Sequence, residues 1–484
     1  MTTLDPTPSS FHGTLLRPDD DGYDSARRLW NAAIDRRPAF IARCTDTADV
    51  AAAVRFATAH DLPLAVRGGG HSIPGHSVCD GGVVVDLSPM RAIRVDAAAR
   101  RASAQPGCTL RELDTATEAV GLATPGGEIS HTGIAGLTLG GGVGWLSRMY
   151  GLSCDNLVEA EVVTAHGEVV TAGGAAGDAE LLWGLRGGGG NFGVVTRFSY
   201  RLHPIRPMLG GMVAFGLERG REVLALFREL IADAPDEVSL TFACVTAPPA
   251  PFVPEHLRGR PIVAIGLLHV GDPADGQPWA EGLRAARPEL DLLDVMPYSA
   301  VQSMVDEGAP PGRQNYVKSE WLAGLDDTAI DRIVEAAATW TSPFSQILLR
   351  QLGGAIARVP ADATAFSFRD AALLLTVPAI WTSADEDPAP HQAWARALWS
   401  DLQRVSSGGG YVNQLDADEG PSRTRDAYAP ATWRRLVALK RRYDPDNVFR
   451  LNQNIPPAEA RPDAPRMRRP PKAQLVLRQF GHSG

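Results

Sequence analysis

Three glycine-rich runs constrain this chain more than any other feature of its sequence. They are RGGGHS at residues 67–72, GIAGLTLGGGVG at residues 133–144 and RGGGGNFGVV at residues 186–195, and 49 of the 484 residues are glycine. Because glycine has no Cβ, its backbone can adopt positive φ angles and its N–H groups can approach a phosphate closely. One such run alone is typical of a tight turn. The combination predicts loops around a ligand, with the first run suited to a pyrophosphate and the second to a flat ring.

The third run also contains GxGxxG, at Gly188, Gly190 and Gly193, which is the pattern of a Rossmann dinucleotide-binding domain. A Rossmann fingerprint requires a strand before it and a helix after it. Here the preceding LLWGL has a helical pattern, and the following VVTRFSY alternates as a strand does. We therefore reject a Rossmann domain.

Charge and hydropathy exclude several other classes of protein. The formal net charge of -9 argues against binding to nucleic acid, which requires a basic face to neutralise phosphates. No run of about 18 apolar residues occurs, and the N-terminus MTTLDPTPSSF lacks the pattern of a secretory signal. We expect a cytoplasmic protein, a monomer or homodimer, that binds a small molecule and does not bind a membrane.

The cysteines and histidines do not have the spacing of a metal site. The five cysteines form no CxxC pair, and His71 and His76 have no further ligands at metal spacing. We predict no metal and interpret the cysteines as small buried residues: Cys44, Cys79, Cys108, Cys154 and Cys244.

The periodicity of apolar residues predicts an α+β fold. Asp46 or Thr47 caps one predicted helix, Thr109 caps another, and EAEVVTAHGEVVTAG predicts a hairpin. From about Pro207 longer apolar strands such as PIVAIGLLHV alternate with helices, which indicates a second, substrate-facing domain. We predict a first domain at 1–206 with its core from about 36, a second at 207–410, a return to the first at 411–456, and a tail at 457–484.

The sequence resembles the FAD-linked oxidases of the vanillyl-alcohol oxidase and para-cresol methylhydroxylase superfamily, in particular the berberine bridge enzyme-like branch that includes bacterial hydroxynicotine oxidases. The resemblance runs through RGGGHS, DGGVVVDLS, GGGVGWLSRMYGLSCDNL and LLWGLRGGGGNFGVVT and resumes at YVN and YDPDNVFRLNQNIPP, so it covers nearly the whole chain. It implies a two-subdomain FAD-binding domain of the para-cresol methylhydroxylase type. It also implies an α+β substrate domain whose antiparallel sheet is covered by helices.

The same resemblance implies a reaction. A hydride passes from a small organic substrate, an alcohol, a sugar-like hydroxyl or an amine, to FAD, and O2 reoxidises the flavin to give hydrogen peroxide. Two alternatives stay open, namely a dehydrogenase that uses another electron acceptor and a flavin-storing protein with a redundant active site.

The resemblance also implies that FAD is covalently attached through His71. Many members carry a second bond, from a cysteine whose position corresponds to about Ile129 in this chain. Cys154 lies ten residues beyond Gly144, on the other side of the glycine run. We therefore predict a single attachment. The resemblance implies this set of cofactor-binding residues: Arg67, Gly68, Gly69, Gly70, His71, Ser72, Gly133, Gly136, Leu137, Gly140, Gly141, Gly142, Gly144, Asp155, Asn156, Gly190, Gly193, Val195, Asn452 and Asn454.

Three residues are predicted to act on the substrate side. Tyr411 and Asn413, in a YxN segment interpreted as a strand, are the expected proton acceptor and substrate-orienting residue, although Tyr411 is equally well explained as a packed tyrosine. Tyr411 would need a cationic neighbour or similar help to act near neutral pH. Thr132 corresponds to the small residue that lets O2 reach the flavin, which favours an oxidase.

Other polar residues are weaker candidates. Lys318 and Arg369 lie in segments that resemble substrate-domain strands, but each is better explained as a solvated or ion-paired side chain. His131 contacts substrate or flavin, or is a structural histidine. The glutamate base of the plant enzymes has no evident counterpart, because the corresponding segment is LLLTVPAIW.

Overall fold

Strands form most of the framework in this computed structural model, which describes residues 11–458. The predicted tail therefore lies almost entirely outside the described residues. In chain order the strands are β1 (Thr14–Leu16), β2 (Phe40–Arg43), β3 (Leu64–Arg67), β4 (Val83–Asp86), β5 (Ile93–Asp96), β6 (Arg101–Ala104), β7 (Leu122–Ala123), β8 (Leu157–Val163), β9 (Val169–Gly173), β10 (Val194–Arg201), β11 (His203–Pro204), β12 (Met208–Gly216), β13 (Val238–Thr246), β14 (Pro261–His269), β15 (Leu290–Asp291), β16 (Asp294–Met296), β17 (Gln314–Leu322), β18 (Ile347–Gln351) and β19 (Leu373–Trp381).

Helices cover the sheets and connect their strands. In the same part of the chain they are α1 (Tyr23–Arg27), α2 (Thr47–Ala59), α3 (Leu110–Glu118), α4 (Ile134–Leu139), α5 (Ser147–Tyr150), α6 (Ala179–Leu185), α7 (Gly220–Asp233), α8 (Pro273–Ala285), α9 (Tyr298–Ser303), α10 (Asp327–Ala338), α11 (Ala355–Arg358), α12 (Ala389–Asp401), α13 (Gly420–Asp426) and α14 (Pro430–Tyr443). The α+β class is confirmed.

Three main sheets follow one another along the chain. The first has the order β1-β2-β4-β3, and the second has the order β5-β6-β10-β8-β9. The third runs β15-β12-β14-β13-β18-β19-β17, with β16 also paired to β12, and its pairs are antiparallel. The third sheet begins at Met208, next to the predicted boundary, but the domain limits themselves stay predictions.

Local sequence explains several of these elements. Asp46 caps α2 by accepting a hydrogen bond from the Asp49 N–H, and Thr109 forms a capping box with Glu112 at the start of α3. The predicted hairpin is the antiparallel pair β8–β9. A helix, α6, precedes the third glycine run and a strand, β10, follows it, which confirms the rejection of a Rossmann arrangement.

The prediction of a strand at YVN was wrong, because Val412–Gln414 form a 3-10 turn. Gly408 and Gly409 precede it with left-handed φ angles of 80° and 78°, so the chain turns immediately before Tyr411. Tyr411 and Asn413 nevertheless meet, since Asn413 Nδ2 donates a hydrogen bond of 3.1 Å to the Tyr411 hydroxyl oxygen.

The third sheet has two unlike faces. Along β19, Leu373, Leu375 and Val377 belong to a buried core that includes apolar residues of helices α7, α8, α10 and α12. Leu374 and Thr376 alternate with them and line a cavity on the opposite face. The sheet thus presents one face to its helices and the other to a ligand-sized space.

The C-terminal segment packs against the earlier part of the chain. Trp433, Leu436 and Leu439 of α14 share a core with Leu181 and Leu182 of α6. Among the helices described, none has the length and apolar character needed to cross a membrane. Location and oligomeric state stay predictions.

Candidate active site

A cavity of about 900 Å³ lies between the glycine-rich loops and the free face of the third sheet. Predicted residues that line it come from all three glycine-rich runs and from both C-terminal motifs. They are Gly68, Gly69, Gly70, His71, Ser72, Thr132, Gly133, Gly136, Leu137, Gly190, Gly193, Val195, Tyr411, Asn413 and Asn452. The structure therefore brings together the glycine runs, His71 and Thr132, as the sequence analysis expected.

Other predicted cofactor residues are not part of the cavity wall. They are Arg67, Gly140, Gly141, Gly142, Gly144, Asp155, Asn156 and Asn454. The glycines among them allow close packing behind the wall. At Gly140, for example, a Cβ would lie 2.0 Å from Asn413 Oδ1.

The side chains of Asp155 and Asn156 bond to other residues of the protein rather than line the cavity. Asp155 Oδ1 lies 2.6 Å from Arg369 Nη2, and both side chains are at most 7% exposed. Asn156 Nδ2 donates to the carbonyl oxygens of Tyr150 and Leu152. A cofactor contact by either residue gains no support from this geometry, because the side chains are already hydrogen-bonded away from the cavity.

The first and second glycine runs touch each other. A Cβ on Gly69 would lie 2.5 Å from Gly133 N, so neither position accommodates a side chain without backbone movement. The backbone N–H groups of Gly69, Gly70 and His71 donate no hydrogen bond to any residue within the described range. Such free N–H groups beside a cavity are suited to an anionic ligand.

His71 lies at the end of the first run, held by three contacts. Its Nε2 is 2.9 Å from His131 Nδ1, and its Nδ1 is 3.4 Å from Thr132 Oγ1. Its ring stacks on Trp30, with centroids 5.1 Å apart and an interplanar angle of 15°. Sequence reasoning missed Trp30, because nothing in its local pattern indicates a long-range stacking partner.

The pKa of His71 is lowered to about 3, first by burial and then by the neighbouring His131. Burial disfavours the charged imidazolium form. At neutral pH His71 is therefore a neutral imidazole, in which one ring nitrogen carries no proton, and this is the nucleophilic form.

Tyr411 holds the second glycine run. Its hydroxyl oxygen accepts hydrogen bonds from the N–H groups of Gly142 and Val143, at 3.1 and 3.3 Å, and from Asn413. Burial raises the pKa of Tyr411, and these hydrogen bonds oppose it. The cationic neighbour that a basic Tyr411 would need is not among the groups that shift its pKa in the described chain. Its role as proton acceptor thus gains no support.

Two of the weaker candidates, Lys318 and Arg369, are not part of the cavity wall. On β17, Asn315 and Val317 line the cavity, so the alternating Lys318 faces away and pairs with Asp418 at 2.8 Å. Arg369 pairs with Asp155, as described above. Both match the expectation of ion-paired side chains.

The two positions considered for a second flavin bond, Ile129 and Cys154, have different surroundings. Ile129 lines the cavity. Cys154 is fully buried in an apolar cluster and does not line it, and burial raises the pKa of its thiol. A buried thiol is a poor nucleophile, which agrees with a single attachment.

Sequence reasoning missed a polar chain across the cavity, formed by Glu128, Arg350, Thr376 and Gln414. Glu128 Oε2 pairs with Arg350 Nε, Arg350 Nη1 donates to Thr376 Oγ1 at 2.8 Å, and Thr376 donates to Gln414 Oε1 at 3.0 Å. The one sequence signal was a threonine alternating with apolar residues in LLLTVPAIW.

The absence of a metal stays a prediction. His12, Asp46 and Asp49 bring three ligand atoms within 4.8 Å of one another. However, Asp46 caps α2 and Asp49 accepts hydrogen bonds from Thr45, so their oxygens already have structural partners.

The glycine-lined part of the cavity fits FAD. A Cβ added at Gly136 or at Gly190 would meet no protein atom within 4 Å, although both residues line the cavity. These two positions leave room for a ligand rather than for a neighbouring side chain. Together with the free N–H groups of the first run, they form a cradle for a flat ring system with phosphates.

Comparison with known proteins agrees with this geometry. Residues 38–173 match the FAD binding domain family, and residues 410–456 match the berberine and berberine-like family. The chain is 31% identical to (R)-6-hydroxynicotine oxidase of Paenarthrobacter nicotinovorans, over 93% of this chain and 98% of that protein. It is 30% identical to an FAD-linked oxidoreductase of Dictyostelium discoideum, over 93% of this chain and 96% of that protein.

A solved structure shares the fold. The crystal structure of 6-hydroxy-D-nicotine oxidase from Arthrobacter nicotinovorans matches with a TM-score of 0.82 at 30% identity, covering 93% of this chain and 99% of that chain. The expected superfamily and fold are confirmed. The chain belongs to the berberine bridge enzyme-like family of FAD-linked oxidoreductases, and it is an FAD-dependent oxidoreductase.

Proposed function

We propose that this enzyme is an oxidase that carries FAD on a single covalent bond to His71 and oxidises a small organic molecule with O2. The chemistry that the bound cofactor supplies is to accept a hydride from a substrate carbon and to pass the electrons to O2, which yields hydrogen peroxide. The observation that carries the proposal is His71 itself, a neutral imidazole in the wall of a cavity lined by three glycine runs.

Binding of the cofactor is assigned to glycine-run residues in the cavity wall. The free N–H groups of Gly69, Gly70 and His71 would hold the phosphates, since backbone N–H groups without a Cβ beside them are good anion ligands. Gly136 and Gly190 would face the ring system, because they leave open space in front of them. Tyr411 and Asn413 would fix the second glycine run in place.

Use of O2 is supported by Thr132 and by the relatives. Thr132 lines the cavity beside His71, and its side chain is short. The relative from Paenarthrobacter nicotinovorans is by name an oxidase. A dehydrogenase that passes electrons to another acceptor is the alternative.

The substrate side of the cavity is mainly apolar. Met212, Ala214 and Leu374 are among its lining residues, and the Glu128–Arg350 pair supplies charge within it. Such a lining suits a small molecule with an apolar body and few polar atoms.

The experiment has two stages. The purified enzyme is reduced anaerobically with a substrate found by flavin bleaching, and it is then mixed with air-saturated buffer. We expect rapid reoxidation with about one hydrogen peroxide formed per flavin. Slow reoxidation in air that becomes fast with a quinone would show the dehydrogenase instead.

A further inference from the structure

The Glu128–Arg350 pair is a largely buried ion pair in the wall of the cavity. Glu128 belongs to the loop before the second glycine run, and Arg350 belongs to β18, 222 residues later. The two side chains are only 11% and 15% exposed. Removing two charges from water costs free energy, so a buried ion pair is weak evidence that the fold is stabilised. Its place in the cavity wall points instead to a role in function.

The pair leaves one acceptor and one donor unused. Within the described residues, Glu128 Oε2 and Arg350 Nε bond each other, while Glu128 Oε1 and Arg350 Nη2 make no hydrogen bond. Neither of these two atoms belongs to the fully buried polar atoms that lack a partner. Because both residues line the cavity, a ligand can reach an acceptor and a donor at the same place.

Arg350 is held from the other side. Its Nη1 donates to Thr376 Oγ1, and Thr376 in turn donates to Gln414, the last residue of the turn that begins at Val412. These bonds leave the guanidinium little freedom to rotate away from Glu128. The free acceptor and donor are therefore pre-organised, which is what a group acting in catalysis requires.

We propose that Glu128 is the proton acceptor of the reaction, that Arg350 binds the reacting oxygen, and that the substrate is a neutral alcohol. A hydroxyl group complements the two free positions, because its O–H can donate to Glu128 Oε1 while its oxygen accepts from Arg350 Nη2. The inference rests on the proposed function, since it names the substrate class and the proton acceptor for that same cavity.

FAD is the two-electron oxidant in this step. The substrate O–H bond breaks, its proton moves to the Glu128 carboxylate, and the electron pair of that bond becomes the second bond of C=O. The C–H bond on the carbon that bears the hydroxyl group breaks at the same time, and its hydrogen leaves with both electrons as a hydride for the flavin. Arg350 donates a hydrogen bond to the oxygen throughout, and this bond is charge-assisted.

The charge of the pair favours an alcohol over an amine. Most aliphatic amines are ammonium ions near neutral pH and have no lone pair to accept from Arg350. An ammonium ion would be attracted to Glu128 but repelled by the guanidinium beside it. A neutral hydroxyl avoids this conflict.

The test compares the wild type with Glu128→Gln, Arg350→Lys and the control Glu307→Gln. Glu307 lines the same cavity but is exposed and makes no hydrogen bond through its side chain within residues 11–458. Covalent flavin content and thermal unfolding are measured first, to confirm that each variant is folded and loaded. The probes are benzyl alcohol, 1-phenylethanol and cyclohexanol, each paired with the corresponding amine, and acetophenone as a product analogue.

We expect at least one of the alcohols to reduce the wild-type flavin anaerobically. Glu128→Gln lowers that rate by about 10²–10⁴-fold, the usual contribution of a positioned base, whereas Glu307→Gln retains it within about threefold. Arg350→Lys weakens the binding of acetophenone, followed through the flavin absorption spectrum, by about tenfold or more.

Two results would overturn the inference. They are a Glu128→Gln variant that is reduced at the wild-type rate, and a wild type that none of the three alcohols reduces, whether or not the amines reduce it. Failure of the proposed function has separate signs, namely loss of all flavin on denaturation or the absence of hydrogen peroxide on reoxidation.

Discussion

His71 lines the cavity, and its Nε2 is joined to Nδ1 of His131 by a hydrogen bond of 2.9 Å. When His131 accepts this bond, the proton of neutral His71 stays on Nε2, and Nδ1, which lies 3.4 Å from Thr132 Oγ1, carries no proton. In that tautomer Nδ1 is the nitrogen of His71 that can form a bond.

Replacing His131 therefore tests how His71 is prepared for attachment. His131→Phe keeps a ring in this position but removes the acceptor, and we expect covalent incorporation of FAD to slow by about tenfold, the effect of losing one hydrogen bond. The measurement is the time course of acid-stable flavin after FAD is added to apoprotein. His76→Gln, another histidine in the cavity wall, is the control. Equal rates in all three proteins would refute the role of His131.

The variant Gly136→Ala distinguishes an effect on cofactor binding from an effect on folding. A Cβ there meets no protein atom within 4 Å, and alanine is favoured over glycine in a helix such as α4, so the apoprotein keeps its stability. If FAD occupies the adjoining space, Gly136→Ala lowers the affinity for FAD. By contrast, Gly69→Ala destabilises the apoprotein, because its Cβ would lie 2.5 Å from Gly133. Unchanged FAD affinity in Gly136→Ala would show that the ring system lies elsewhere.

The Arg369–Asp155 pair is predicted to stabilise the fold rather than to bind the cofactor. Arg369→Met leaves the Asp155 carboxylate without its partner at 7% exposure, and breaking a buried pair in this way lowers the free energy of unfolding by about 3–5 kcal/mol. Chemical denaturation measures the loss. The affinity of the folded apoprotein for FAD should remain close to that of the wild type, and a large selective loss of FAD affinity would instead restore Asp155 as a cofactor residue.

Two partly buried histidines predict a loss of stability in mild acid. Burial is the main cause that lowers the pKa of His76 and of His203 from 6.5 to about 4. Below about pH 6.5 the unfolded chain binds protons at these residues and the folded chain does not, so the free energy of unfolding decreases as the pH falls toward 4. Urea unfolding at about pH 7 and pH 5 measures this slope. His203→Gln should reduce it, and a stability that is level or rises toward pH 5 contradicts the assignment.

Much of the cofactor side could be predicted from sequence because glycine runs carry their own conformational signal. Residues of all three runs line one cavity, as this signal predicted, and the close contact of Gly69 with Gly133 depends on residues without a Cβ. Periodicity likewise predicted the helix before the third run and the strand after it. These are local properties, and local sequence is sufficient to determine them.

The substrate side was harder to predict from the sequence, because it depends on contacts between distant segments. The Glu128–Arg350 pair and the stacking of Trp30 on His71 arise only when loops and sheet come together. The register of β17 decides that Lys318 faces away from the cavity, and a sequence alone does not give that register. Asp155 was assigned from its motif, whereas its partner Arg369 lies 214 residues away.

The covalent bond at His71 is the central claim, and denaturation tests it most directly. Wild type, His71→Ala and Cys154→Ala are loaded with FAD, precipitated with acid and separated on a denaturing gel, and flavin fluorescence is measured on the protein band. We predict about one flavin per chain in the wild type and in Cys154→Ala, because burial makes the Cys154 thiol a poor nucleophile. His71→Ala should retain none. Wild-type levels of acid-stable flavin in His71→Ala, or their loss in Cys154→Ala alone, would contradict the account.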